Sequence, residues 1–376
     1  MVLSRRLQWA LVFTLALTAV VSRIKFNGLI LNFDYGIYQP DGSHYAYRTL
    51  SFLGVESNIA AERVVQWYQI HGIKNNLFEA NLLSPENKET WGLVAPRIVY
   101  SFLSLPFVYF LGLSGMMVIP ILSFFLLIFS IFRLSEIQNR RIIGFFLVVA
   151  LSTSPTVLRW MIANITDSLL AGIFGIVVLL IGGKSNGKFS SFWIVFLIFM
   201  SSFTRFCLPI WVAISIVYWI NRKRSNAFII LFSSLLAFIP TYLYMPRNAI
   251  LPAEAQAGGI TRLLHLGESF VKVGFIEVAQ LAAVDRILLI TLVIAFLISI
   301  KFPRELPSQL FLSVLMSVWF IGAINGTLGV NFRYQLPILG FACWAITANL
   351  VKFSDWAGRG RFNIEGKEAK NELNSN

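Results

Sequence analysis

The feature that most constrains this chain is repeated: apolar runs of about 16–20 residues, separated by short clusters of charge. Wound as an α-helix at about 1.5 Å per residue, such a run is as long as a bilayer's hydrocarbon core is thick, roughly 30 Å. Lipid offers no partner for a bare backbone N–H or C=O, so the runs must be helices. Composition agrees. Of 376 residues, 57% are hydrophobic and only 13% charged, with a mean hydropathy of +0.71. That leaves too few charges to cover a soluble domain of this size. The expected fold class is an all-α polytopic membrane protein of about ten transmembrane helices.

The runs read as spans over Leu7–Val21, Gly115–Arg133, Ile142–Leu158, Ser168–Gly183, Ser190–Phe203, Phe206–Ile220, Ala227–Tyr244, Arg286–Ile300, Leu306–Ile321 and Tyr334–Val351. Arg5-Arg6 before the first run could belong to a signal peptide. It lacks a convincing small-residue cleavage site and more spans follow, so an uncleaved first helix is expected. The net charge of +13 raises nucleic acid as a partner. The basic residues, however, sit in short clusters between apolar runs, as they do when Lys and Arg are retained in the cytoplasm. No nucleic-acid partner is expected. Cys207 and Cys343 both lie inside apolar runs, which indicates neither a disulfide framework nor a Cys-based metal site.

Ile98–Leu111 is short and holds Pro106, so it can be a span or a helix in the outer interface. Charge decides. With this segment interfacial, the N-terminus, Arg133/Arg140/Arg141, Lys184/Lys188, Arg222-Lys223-Arg224, Lys301/Arg304 and the C-terminal tail share one side, as the positive-inside tendency requires. Both termini are then cytoplasmic. Residues 1–351 form the transmembrane unit, with large outer loops at 22–97 and 245–285. Within the second loop, Ile260–Gln280 is amphipathic enough to lie on the membrane surface. Residues 352–376 form a polar, disordered tail.

Three arginines break the rule. Arg159 in LRWMIANITD, Arg205 in SSFTRFCLP and Arg333 in GVNFRYQLP lie beside span ends on the outer face. Each alone reads as a snorkelling side chain. Three on one face point to a shared anionic ligand, because the planar guanidinium fork suits phosphate oxygens. Acids repeat the pattern: Asp34 and Asp41 in the first outer loop, and Asp167 opening the fourth span. A carboxylate near the membrane surface is a plausible base for a hydroxyl proton. The plain alternatives are a Pro-Asp-Gly turn for Asp41 and a helix cap for Asp167 or Thr166. His44, His71 and His265 are too scattered for a metal site. Asn164-Ile-Thr166 and Asn325-Gly-Thr327 match the N-glycosylation pattern but lie too close to the membrane to serve as acceptors.

In arrangement the chain resembles the C-type glycosyltransferases that use polyprenyl-phosphate sugars, the superfamily of protein O-mannosyltransferases and lipid A aminoarabinose transferases. Asp41 with Tyr45, then YRTLSFLG, is similar to the family's Asp-x-x-x-Tyr stretch. WGLVAPRIVYSFLSLPFVYFLGLSG resembles its Pro-led interfacial helix, and TDSLLAGIFGIVVLL its second acid and following span. TRFCLPIWVAISIVYWI and NFRYQLPILGFACW resemble the later Thr-Arg and Arg-Tyr-x-Leu-Pro segments. Where the family often has a second acid after the first-loop aspartate, this chain has Gly42, and the large C-terminal extramembrane domain of some members is absent.

The resemblance implies interfacial helices in the first outer loop and a location in the bacterial plasma (inner) membrane. It implies transfer of a sugar, with inversion, from a polyprenyl-phosphate donor to a hydroxyl of a glycan, lipid or protein on the outer face. Asp41 is then the general base, and Asp167 orients the acceptor or holds an arginine. Arg333 and Arg205, with Arg159, bind the donor phosphate. Tyr45, Tyr47, Trp91, Tyr334 and His44 are candidates for contacts to substrate. No cofactor is implied with certainty, and a divalent metal stays open. The rival classes are a secondary transporter or lipid flippase and a non-catalytic scaffold. A transporter keeps its ionisable groups near the bilayer midplane; the enzyme needs Asp41, Asp167 and Arg205 or Arg333 gathered at one outer boundary.

Overall fold

The computed structural model describes residues 4–27, 30–33, 40–70, 97–183, 188–244, 260–324 and 332–354. Helices dominate. In chain order they are α1 (Arg5–Val21), α2 (Pro40–Phe52), α3 (Ser57–Ile70), α4 (Ile98–Leu111), α5 (Val118–Ile137), α6 (Arg141–Thr153), α7 (Pro155–Met161) and α8 (Thr166–Gly182). There follow α9 (Lys188–Ser202), α10 (Leu208–Ile220), α11 (Arg224–Tyr244), α12 (Ile260–Val284), α13 (Arg286–Lys301), α14 (Leu306–Ile324) and α15 (Ile338–Ser354). One departure from an all-helical fold is a two-stranded antiparallel hairpin after α1, β1 (Ile24–Asn27) with β2 (Ile30–Phe33), in which Ile24 pairs with Phe33.

Among the described residues, three helical stretches are long and apolar enough to cross a membrane: Ile98–Ile137, Arg224–Thr241 and Leu306–Ala323. A bent pair, α6 with α7, makes a fourth if it is one span. Large apolar side chains such as Leu17, Ile142, Phe146, Phe228, Phe232 and Ile290 face outward, as on a lipid-facing surface. The chain is thus a helical protein with membrane-spanning helices.

The first stretch is not a straight rod. Tyr100 Oη donates to the Met116 carbonyl at 2.8 Å, across 16 residues. A continuous helix would hold those residues about 24 Å apart. The chain instead doubles back at Gly112, whose φ of 63° suits glycine. Within the stretch α5 is the helix long enough to span, and α4 is a separate helix beside its start. The expected span Ile142–Leu158 is also broken, by 73° between α6 and α7. Pro155 has no N–H to donate and holds Ser154 in extended backbone (ψ 116°). The Ser154 side chain then caps the new helix by accepting from Val157 N at 3.0 Å.

The mast of the bundle is α8, buried almost throughout from Thr166 to Val178. Close approach makes this possible. A Cβ on Gly172 would lie 2.9 Å from the Ser123 carbonyl oxygen of α5. Gly175 faces Leu127 and Gly182 faces Leu134, so α5 and α8 run parallel. On another side Gly340 packs against Gly175 and Trp344 against Gly182, which sets α15 parallel to them as well. The Asp167 end and the Gly182 end of α8 are about 25 Å apart.

Small residues at helix contacts let backbones approach where lipid supplies no hydrophobic drive. Gly172→Leu should therefore lower stability by about 1–3 kcal/mol through overpacking. The readout is the thermal unfolding midpoint of detergent-purified protein. Gly267→Ala on α12, where a Cβ meets nothing within 4 Å, is the control and should leave the midpoint unchanged or raised.

Candidate functional site

Asp167 sits in the first turn of α8 and is 1% exposed. Its residue type at that place favours capping, yet the N-cap position is Ile165, with no side-chain cap bond among the described residues. The carboxylate reaches outward instead. Arg205 Nη1 donates to Oδ1, and Arg333 Nε donates to Oδ2 at 3.0 Å. Arg205 comes from the short connection between α9 and α10, and Arg333 from the 3-10 turn that leads into α15. Three segments widely separated in sequence meet at one carboxylate.

The cluster is buried, and among the described residues two guanidiniums face one carboxylate. Arg97, just before α4, acts electrostatically on Arg205. Burial pulls the Arg205 guanidinium below its ordinary range, Asp167 and Tyr334 oppose that, and Arg97 and Arg333 add to it. It stays charged all the same, since arginine does not deprotonate in proteins. Aromatic faces hold the guanidiniums flat: Arg205 lies 4.0 Å from the Tyr334 ring, and Arg333 lies 5.7 Å from both Trp160 and Tyr334. Arg159 is exposed and stacks on the same Trp160 at 4.9 Å. Arg159 therefore reaches the rim of the cluster and not the carboxylate.

α2 packs against this end. Tyr45, on α2, is fully buried. Its hydroxyl accepts from Arg97 Nη1 at 3.2 Å and lies 3.4 Å from Thr166 Oγ1, next to Asp167. Tyr45 thus serves as a strut in the site wall. His44 and Tyr47 are buried in the same helix, and Tyr334 is half-buried. Asn164 donates to Tyr68 Oη of α3 at 2.6 Å and is fully buried, in keeping with the exclusion of this motif as a glycan acceptor.

Asp41 falls in the first turn of α2, where Pro40-Asp41-Gly42 opens a helix and is not a free turn. Its side chain lies outside the described residues, as do Asp34, Trp91, His71, the His265 side chain, and Asn325 with Thr327. The backbone beside it is informative. A Cβ on Gly42 would sit 2.3 Å from the Asn164 amide nitrogen. A side chain at this position would have to displace the Asn164 amide. The same contact brings the Asp41–Gly42 turn against the segment that carries Asp167.

Two carboxylates that the sequence does not single out fix the frame. Glu277 on α12 is 3% exposed and accepts from Phe332 N at 2.5 Å. Phe332 has a left-handed φ of 67°, which is strained for a bulky residue and sets the turn that delivers Arg333. Burial raises the Glu277 carboxyl above its ordinary range, against the Phe332 N–H. Asp285 caps α13 through Leu288 N at 3.0 Å and also accepts from Thr156 N at 3.1 Å and from Ser154 Oγ. It ties the α12–α13 corner to the α6–α7 break. Arg97 could have been found from sequence, since it too is an arginine beside an apolar stretch. Trp160 and Glu277 carry no such signal.

Behind Phe332 lies an apolar cavity of about 180 Å³ between α12, α13 and α14. Leu281, Phe296, Leu315 and Trp319 line it, with the Glu277 carboxyl at one wall. Among the described residues no group of three His, Cys, Asp or Glu side chains is placed to hold a metal ion.

Fold and site together define a helical membrane protein with a buried, ion-paired polar centre at one end of its bundle. No family model, curated protein or solved structure matches the chain.

The site yields a stability prediction. Asp167→Asn strips the counter-charge from two buried guanidiniums and should cost about 3–5 kcal/mol. Asp167→Asn with Arg205→Gln should recover part of that loss, because one stranded charge is gone. Denaturant unfolding of the three proteins in detergent checks it. Equal stability of the single variant and the parent would contradict the pairing.

Proposed function

We propose that the chain is a membrane glycosyltransferase of the C type, with about ten spans, α1, α5, α6–α7, α8–α11 and α13–α15, and both termini in the cytoplasm. It moves a sugar from a polyprenyl-phosphate donor to a hydroxyl acceptor on the outer face of a bacterial plasma membrane. The observation that carries this reading is the Asp167–Arg205–Arg333 centre at one end of α8, where two arginine forks converge on one carboxylate.

The geometry gives each group a task. Both Asp167 oxygens are engaged by guanidiniums, so Asp167 is the arginine holder and Asp41 the general base. The Asp41 carboxylate takes the proton of the acceptor hydroxyl as its oxygen attacks the anomeric carbon. The bond from that carbon to the phosphate oxygen breaks, and the lipid phosphate leaves with the electron pair. Back-side attack inverts the anomeric centre. The Arg205 and Arg333 guanidiniums meet the charge that develops on the phosphate. They are already oriented, so no reorganisation is needed at the moment of reaction. The cavity behind Phe332 suits a stretch of the polyprenyl chain: Phe332 lines it, and the next residue is Arg333. A chain lying there would bring its phosphate to the arginine pair.

A secondary transporter or lipid flippase is the competing reading. The placement of the ionisable centre favours the enzyme, since it lies at a helix N-terminus and two connections rather than halfway along the spans.

Asp41→Asn should abolish transfer of radiolabelled sugar in membranes while leaving membrane abundance intact. Wild-type transfer by that variant would falsify the base assignment. Arg333→Lys keeps the charge but loses the fork, and should raise the KM for the lipid donor at least tenfold with a smaller change for the acceptor.

A further inference from the structure

A second charge cluster lies at the opposite end of the bundle. Glu136 ends α5, and its side chain is 5% exposed. Arg5 of α1 grips it with Nε and Nη2 at 2.5 and 2.9 Å. Arg133 donates to the same carboxylate, and Arg141 of α6 approaches it at 3.3 Å. The three guanidinium side chains are 57, 39 and 38% exposed. The acid is buried and the arginines face out around it.

Topological retention explains why basic residues lie on this side. It does not explain their convergence. One guanidinium neutralises one carboxylate; the second and third leave two positive charges in contact, with Arg6 and Arg140 exposed beside them. Like charges are held together at a net cost unless an anion joins them. The setting says which anion. Trp9, one turn along from Arg5, packs on Phe129 and Phe132, and amphipathic rings of this kind gather at membrane interfaces. Along α6 beyond Arg141, Ile142 and Phe146 are 73 and 65% exposed, and Leu7 and Leu11 are exposed on α1. Guanidiniums above outward apolar side chains match an amphiphile with a negative head.

We propose that Arg5, Arg133 and Arg141, gathered by Glu136, form a binding site for the phosphate of an anionic phospholipid in the leaflet opposite the Asp167 centre. Glu136 orients the forks, their remaining N–H groups take the phosphate oxygens, and the acyl chains run over Ile142 and Phe146. The site is independent of the proposed transfer reaction.

The test uses purified full-length protein titrated with phosphatidylglycerol, with phosphatidylcholine of the same chains, and with inorganic phosphate, read by native mass spectrometry and thermal shift. Phosphatidylglycerol should bind at least tenfold tighter than phosphatidylcholine and raise the unfolding midpoint. Arg5→Gln/Arg141→Gln, which keeps the Arg133–Glu136 pair, should abolish that preference. Arg222→Gln/Lys223→Gln removes the same charge from another cluster and should retain it. Should the first double variant not be recovered folded, Arg141→Gln alone should reduce the preference at least threefold. Equal binding of the two lipids, an unchanged preference in the Arg5/Arg141 variants, or the same stabilisation by inorganic phosphate alone would overturn the proposal.

Discussion

Two guanidiniums and one carboxylate, closed off from water at the start of α8, are the interaction on which this end of the bundle depends. Desolvating three charges is costly, and their mutual attraction offsets that cost only when the geometry is fixed. Much of the surrounding structure supplies that fixity. Trp160 and Tyr334 flank the guanidiniums. Glu277 holds the backbone N–H of Phe332 and so sets the turn before Arg333. Asp285 locks the α6–α7 break to the start of α13. Tyr45 spans from Arg97 to Thr166. Removal of any one of these leaves a charge or a polar group to be satisfied elsewhere, which is why the cluster behaves as a unit.

The two ends of the bundle use the same residues for different ends. At one, Asp167 is buried together with its two arginines. At the other, Glu136 is buried while its arginines stay half in solvent. The parallel run of α5 and α8, made possible by Gly172 and Gly175, sets the two centres at opposite ends of the bundle. A membrane-spanning enzyme that handles a lipid-linked anion on one face needs such polarity, and so would a transporter. What separates the readings is depth, and the ionisable groups here sit at helix ends.

Much of this was legible in the sequence. Apolar run lengths gave helices within a few residues of α1, α8, α10, α11, α13 and α14, because hydrophobic length is a strong signal. The gathering of Arg205, Arg333 and Asp167 was legible because arginine beside a span on the outer side opposes the topological bias. The break at Pro155 was harder to see: a proline in an apolar run can bend a helix gently or end it, and the Asp285 side chain that stabilises the break lies far off in sequence. The reversal at Gly112 and the β1–β2 hairpin depend on local backbone geometry that hydropathy does not register. Glu277 looks like one more polar residue on an amphipathic helix; only the fold shows that it faces Phe332.

The central claim is that the Asp167-held arginines receive a lipid phosphate. Its most direct measurement is the affinity of the purified protein for undecaprenyl phosphate against undecaprenol, which shares the chain and lacks the phosphate. The account predicts that the phosphate form binds at least tenfold tighter, and that Arg205→Gln/Arg333→Gln brings the two affinities together. Equal affinity for the two lipids in the unaltered protein, or a preference that persists in the double variant, would contradict it.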